Sequence, residues 1–173
     1  TLKDLKEDVD YLVYKQTRES LKENPIEKIS ADTASPQDLI DSGFATIEVQ
    51  IKTDLLERLK NIDPYYFEKV ILILLKKMGY GDFIETAKSG DGGIDGIINE
   101  DKLGLEKIYI QAKRYNENKV RETDIRNFIG AMTGRTNKGV FVTTSTFGDD
   151  AIQRVREIHP TKIILIDGNK LVD

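Results

Sequence analysis

The sequence predicts an α/β/α sandwich around a mixed sheet of roughly five strands, preceded by a helical N-terminal segment. Three observations carry that reading. Short apolar runs alternate with helix-period stretches through the second half, as parallel strands joined by crossover helices require. Two neighbouring runs, 94–98 and 105–112, are separated by Asn-Glu-Asp-Lys-Leu-Gly and read as an antiparallel hairpin. Ser35-Pro36 and Asp63-Pro64 each set an N-cap residue before a proline at the first helical position, so a helix should begin at each.

Composition sets the outer limits. The chain has 173 residues, room for one full domain and a smaller appendage. At 39% hydrophobic and 32% charged it is globular in character, with no apolar run near the roughly 18 residues that span a bilayer. It has no cysteine, which excludes disulfides and thiolate metal sites and fits a reducing cytoplasm. It opens on Thr1, as a piece of a longer protein would. The net charge is −4, yet 102–162 holds twelve Lys/Arg against seven Asp/Glu, so phosphate binding is permitted there. Ordinary solvated faces explain that asymmetry equally well.

Residues 1–34 are charged, with Leu2, Leu5, Val9, Leu12 and Val13 at helical spacing. They read as a linker or as the remnant of a recognition domain. Residues 35–61 form a connecting helix carrying Leu39, Ile40, Phe44, Ile47, Ile51, Leu55, Leu56 and Leu59, with Gly43 as a place where it would break in two. Residues 62–173 are the main domain. Its first helix should bury Phe67, Val70, Ile71, Leu74, Leu75 and Met78, widened by Tyr66 and Ile73, and stop at Gly79. Strands follow at 83–87, 94–98, 105–112, 139–144 and 163–166, and helices at 120–133 and 147–158. Gly90-Asp91-Gly92-Gly93 makes a tight loop before the hairpin.

The chemistry lies in that hairpin. Gln111 and Lys113 share a strand face, because side chains alternate. Folding the hairpin about residue 103 brings Asp95 opposite Gln111, with Cβ atoms about 5 Å apart. A slip of one residue would send Gln111 to the other face. Carboxylate and amide oxygens are hard ligands suited to Mg²⁺, and an ammonium beside them suits phosphoryl chemistry. Glu68 is read in the first turn of its helix, where two readings stand: a carboxylate favoured by the helix terminus, or a further acid of the site. Arg114, Lys119, Arg121 and Arg126 are either phosphate contacts or solvated side chains. Thr143, Thr144 and Ser145 either bind phosphate or satisfy backbone. His159 reads as a helix-end residue.

The stretches GDGGIDGII, IYIQAKRY, the preceding YYFEKVILILLKKMGYG and the following GVFVTTSTF together, four motifs in the expected order, resemble the Mrr-type restriction endonuclease domain, a branch of the PD-(D/E)xK nuclease superfamily. The resemblance covers about residues 60–172 and implies a restriction-endonuclease-like fold. It also implies a Mg²⁺-dependent DNA endonuclease (Mn²⁺ as substitute) of type IV kind, acting on methylated double-stranded DNA, in the cytoplasm, as a homodimer or larger assembly. It carries the superfamily's motif Asp onto Asp95, its second acid onto Gln111, its lysine onto Lys113 and its first-helix acid onto Glu68. With DNA as substrate, the phosphate-contact reading of Thr144 and of the basic residues named above makes them DNA contacts, and the hard oxygens of Asp95 and Gln111 remain the metal ligands read from the hairpin. Ile94 stands where the wider superfamily has Pro, and Gln111 where it has Asp or Glu; both occur in the Mrr branch and imply weaker or more substrate-dependent metal binding. Such proteins carry an N-terminal winged-helix domain, and residues 1–34 do not hold a complete one. Two other functions stay open: a non-cleaving DNA-binding or interaction module on the same fold, and a structure-specific nuclease such as a junction resolvase.

Overall fold

In a computed structural model, the described residues are 35–85, 93–101 and 104–173. The expectations for residues 1–34, for the rest of the first strand, for most of the glycine loop and for the centre of the hairpin turn lie outside them. The chain divides into two units at Thr46/Ile47. The first is described only at 35–46, the start of helix α1 (Pro36–Asn61). There Ser35 Oγ accepts from Asp38 N–H at 3.2 Å while Asp38 accepts from Ser35 N–H at 2.9 Å, a reciprocal cap. Gly43 does not break α1, which is one helix to Asn61.

The second unit holds the remaining elements. They are α2 (Pro64–Lys77), β1 (Phe83–Glu85), β2 (Gly96–Asn99), β3 (Lys107–Lys113), α3 (Glu122–Met132), β4 (Lys138–Thr143), α4 (Asp149–Glu157), β5 (Lys162–Ile166) and the short α5 (Gly168–Leu171). The sheet order follows the sequence, β1-β2-β3-β4-β5. β1–β2 and β2–β3 are antiparallel; β3–β4 and β4–β5 are parallel. The mixed five-stranded α/β architecture is the one the alternation predicted.

Each face of the sheet has its own core. Ile98, Ile110, Ala112 and Val142 meet Phe67, Ile71, Leu72 and Leu75 of α2. Tyr109 and Phe141 meet Ile125, Phe128 and Met132 of α3 and Ala151 of α4 on the other side. Period-two alternation along β3 thus feeds two separate cores. Phe141 anchors the second through edge-to-face contacts with Phe128 and Phe147 at 5.6 and 5.8 Å.

Several boundaries differ from expectation. Val120 and Phe147, predicted to open helices, instead pair as an isolated parallel bridge, both buried, and the helices start two residues later. α2 buries Leu72, while Tyr66, Ile73, Leu74 and Met78 remain exposed. A helix on a sheet seats one stripe, and Val-Ile-Leu-Ile-Leu-Leu is apolar all round, so its spacing does not select the stripe. Gly96 helps decide it: a side chain there would collide with Leu72, so α2 rests directly on β2. Among the described residues no helix is long and apolar enough to cross a membrane.

Candidate active site

The hairpin register is the predicted one. Gly96 pairs with Ile110 and Ile97 with Tyr109, and one further step puts Asp95 opposite Gln111. Asp95 precedes β2 and is held from two directions. Its N–H donates to Ile110 O at 2.9 Å, and its carboxylate Oδ2 accepts from Ala112 N–H at 2.6 Å. The side chain therefore continues the ladder where the backbone of β2 has turned away. Burial pushes the Asp95 carboxyl up to about 7; the Ala112 N–H opposes this, the nearby Glu68 charge adds to it, and Lys113 opposes it.

Gln111 is 9% exposed, and its Oε1 is buried without a hydrogen-bond partner. The amide lies against Gly93, whose φ is +90° and whose missing Cβ would stand 2.6 Å from Gln111 Nε2. Only glycine meets both the backbone and the contact requirement. An unsatisfied buried carbonyl oxygen costs on the order of 1–3 kcal/mol. Beside a desolvated carboxylate, such an oxygen is what a hard cation would satisfy.

Lys113 ends β3 on the same face as Gln111. Its ammonium pairs with Asp124 in the first turn of α3 and lies 5.5 Å from the centre of the Tyr115 ring. Burial pulls the ammonium's pKa down, but bonds to Asp124 and Tyr115 outweigh it and the net shift is upward. Glu68 is half-buried and acts electrostatically on Asp95. It lies in the second turn of α2, not the first, so the bland reading as a terminal helix acid loses its footing. Glu68, Asp95, Gln111 and Lys113 come from α2, the β2 entry and β3 to one end of the sheet. Among the described residues no group of three or more His, Cys, Asp or Glu is arranged to hold a metal, so a cation here would depend on an amide as well as carboxylates.

The expected DNA contacts divide. Lys119, Arg121 and Arg126 are exposed. Thr144 is a correction: it is 1% exposed, and its hydroxyl accepts from Tyr115 N–H at 2.9 Å and donates to Tyr115 O at 2.7 Å. It is a brace between β4 and the end of β3. Arg114 has structural partners too, donating to Lys60 O at 2.6 Å and Asn116 Oδ1 at 2.7 Å, so it caps the C-terminal end of α1. Asp124 was missed by the sequence reading. Its one signal was an acid in the first turn of α3, and its pairing with Lys113 spans eleven residues of loop and helix.

Comparison with known proteins settles the family. Residues 59–173 match the Mrr catalytic-domain family, described as restriction endonuclease. The chain belongs to that family. A curated relative, the type IV methyl-directed restriction enzyme EcoKMrr of Escherichia coli (strain K12), is 38% identical over 144 residues. That match covers 80% of this Mrr-type chain but 46% of the relative, so the chain spans about half of that protein's length. The MspJI restriction endonuclease, solved in complex with a 27-mer oligonucleotide, matches with a TM-score of 0.50 at 21% identity. The match covers 72% of this chain and 30% of MspJI, and at that identity it speaks for the fold.

Proposed function

We propose that this Mrr-type chain is the cleaving part of a Mg²⁺-dependent endonuclease that hydrolyses phosphodiester bonds in methylated double-stranded DNA. The observation that carries the reading is the orphaned Gln111 Oε1 across the strand pair from the half-buried, protonation-prone carboxylate of Asp95. Asp95 and Gln111 would hold the cation, which when bound supplies charge neutralisation at the phosphate and a more acidic water.

The protein's own groups do the rest. The Ala112 N–H fixes Asp95 through Oδ2 and leaves Oδ1 for the cation. Gly93 and the core hold the Gln111 amide in place, so its oxygen needs little reorganisation. Lys113 brings a positive charge to the same strand end, suited to a phosphate oxygen as negative charge builds. Glu68 adds the second carboxylate, which favours a divalent over a monovalent cation. Lys119, Arg121 and Arg126 suit phosphate contacts that fix position without reading sequence. The name of the Escherichia coli relative supports methylated DNA as substrate. Cutting both strands takes two such sites, so a homodimer is part of the reading.

The test is cleavage of methylated, unmethylated and branched DNA with Mg²⁺ or Mn²⁺ and with EDTA. Metal-dependent cutting of methylated DNA is expected, lost in Asp95→Ala and Lys113→Ala while their circular dichroism stays native. Full activity in both variants would end the assignment, and a preference for branched DNA would transfer the same site to junctions.

A further inference from the structure

Lys113 pairs with one carboxylate and acts through its charge on a second. Asp95 is near enough to feel its charge, yet the ion pair is made with Asp124. The Asp124 side chain is 17% exposed, that of Lys113 34%, so neither end of the pair is freely solvated. Asp124 is also firmly set. Oδ1 takes the ammonium, while Oδ2 accepts from Arg121 N–H at 3.1 Å and the Asp124 N–H donates to Arg121 O at 3.0 Å. The same helical turn is tied to α4, since Glu122 N–H donates to Asp150 Oδ2 at 3.2 Å. Asp124 is thus an anchored counter-ion on a braced helix start, and the Tyr115 ring flanks the ammonium.

We propose that Asp124 is a positioning residue that draws Lys113 aside from Asp95 and so keeps the metal-binding carboxylate open. The proposal rests on the reading of Asp95 and Gln111 as metal ligands. Without the Asp124 charge, the anionic group that feels the Lys113 ammonium is Asp95. An ammonium seated on Asp95 must be displaced before a cation binds, so the protein would compete with its own cofactor. Asp124 removes that competition while leaving Lys113 beside the reacting phosphate.

Mn²⁺ binding to the intact chain, read by calorimetry or by the electron paramagnetic resonance of free Mn²⁺, tests this without any turnover. Asp124→Asn keeps an acceptor for the Arg121 N–H and removes the charge; Asp124→Ser serves if the Asn variant does not fold. Loss of Asp124 should weaken Mn²⁺ binding by about tenfold, within the usual range for coupling between neighbouring sites. Adding Lys113→Ala should restore binding to within about twofold of Lys113→Ala alone, an additivity failure that marks a direct coupling. Unchanged binding in Asp124→Asn, or a loss that Lys113→Ala does not rescue, overturns the proposal, the second result assigning Asp124 a purely structural role. A wild type that binds no Mn²⁺ overturns the metal reading itself, and this inference with it.

Discussion

The two ends of the β2–β3 hairpin carry similar groups in opposite settings. At the turn end, Lys138 lies between Glu100 and Glu106 at 2.6 and 3.0 Å. At the open end, Lys113 lies between Asp124, with which it pairs, and Asp95, whose carboxylate feels its charge. At the turn end Glu100 N–H donates to Glu106 O at 2.9 Å and Asp101 Oδ2 accepts from Glu106 N–H at 2.6 Å, while Asn99 Oδ1 is buried without a partner. The open end also holds an orphaned amide oxygen, Gln111 Oε1, and there it is accompanied by a carboxyl raised to about 7. Charge type does not separate them, nor does the exposure of the two lysines, 34% each; the acids do, Glu100 and Glu106 being 47% and 60% exposed against 17% for Asp124. Exposed ion pairs are held at little cost or gain, whereas a carboxylate withdrawn from water costs free energy unless a cation or hydrogen bonds compensate it.

The largest expected effect is at Asp95. Asp95→Asn should lower metal-dependent cleavage by about 10³-fold or more, since it removes the charged ligand while Oδ1 of Asn still accepts from Ala112 N–H. It also has a signature in the metal-free protein. The Asp95 carboxyl rises from 3.8 in the unfolded chain to about 7 in the fold, so the folded state binds the extra proton between those values. Stability from this residue is therefore full below about pH 4, falls as pH rises towards 7, and stays low above it. Asp38, Asp82, Asp150 and Asp173 are shifted downward and work in the opposite sense, so only a difference isolates Asp95. Urea denaturation in EDTA at pH 4.5 and 7.5, pH values set about the two pKa values, should show Asp95→Asn gaining stability over wild type at the higher pH. No pH-dependent difference would mean that Asp95 is as well solvated as the turn-end acids.

That contrast was partly legible in the sequence. The register was legible up to a slip of one residue, from the centre of a short turn, and the observed pairing puts Ile98, Ile110 and Ala112 in one core. The convergence of Asp95, Gln111 and Lys113 on one end of the sheet followed from it. Long-range partners were not legible. Thr144 bonds the backbone of Tyr115, 29 positions away, and Arg114 that of Lys60, 54 away, so no local pattern announces either. Both looked like DNA contacts because hydroxyls and guanidiniums beside a site are usually read as free. Asp124 was hidden differently: an acid in a first helical turn already has a local explanation, and its second partner is visible only when β3 and α3 are packed together.

A smaller effect on the fold, with a large one on chemistry, is expected at Gln111. Gln111→Leu removes the orphaned oxygen and keeps most of the volume against Gly93. Stability of the metal-free protein should change by no more than about 1 kcal/mol, because an unpaired buried acceptor is exchanged for an apolar group. Cleavage should fall by about 10²-fold through the lost ligand. Urea denaturation and Mg²⁺-titrated cleavage check the two halves. A stability loss of several kcal/mol would instead show that the amide is a structural keystone, and the open end would then resemble the turn end.

The smallest effect belongs to the turn end itself. Lys138→Ala removes both ion pairs to Glu100 and Glu106, the first of them also a hydrogen bond, and leaves the Glu100–Glu106 and Asp101–Glu106 hydrogen bonds in place. Both partner carboxylates are open to water, where Coulomb attraction is screened and side-chain ordering offsets much of it. Cleavage rate and Mn²⁺ binding should match wild type, and any fall in melting temperature at low ionic strength should vanish in 0.5 M NaCl, where the Debye length is only about 4 Å. A loss of cleavage in Lys138→Ala, with the melting temperature unchanged, would show that the far end of the hairpin is coupled to the site through β3 and would remove the distinction between the two ends.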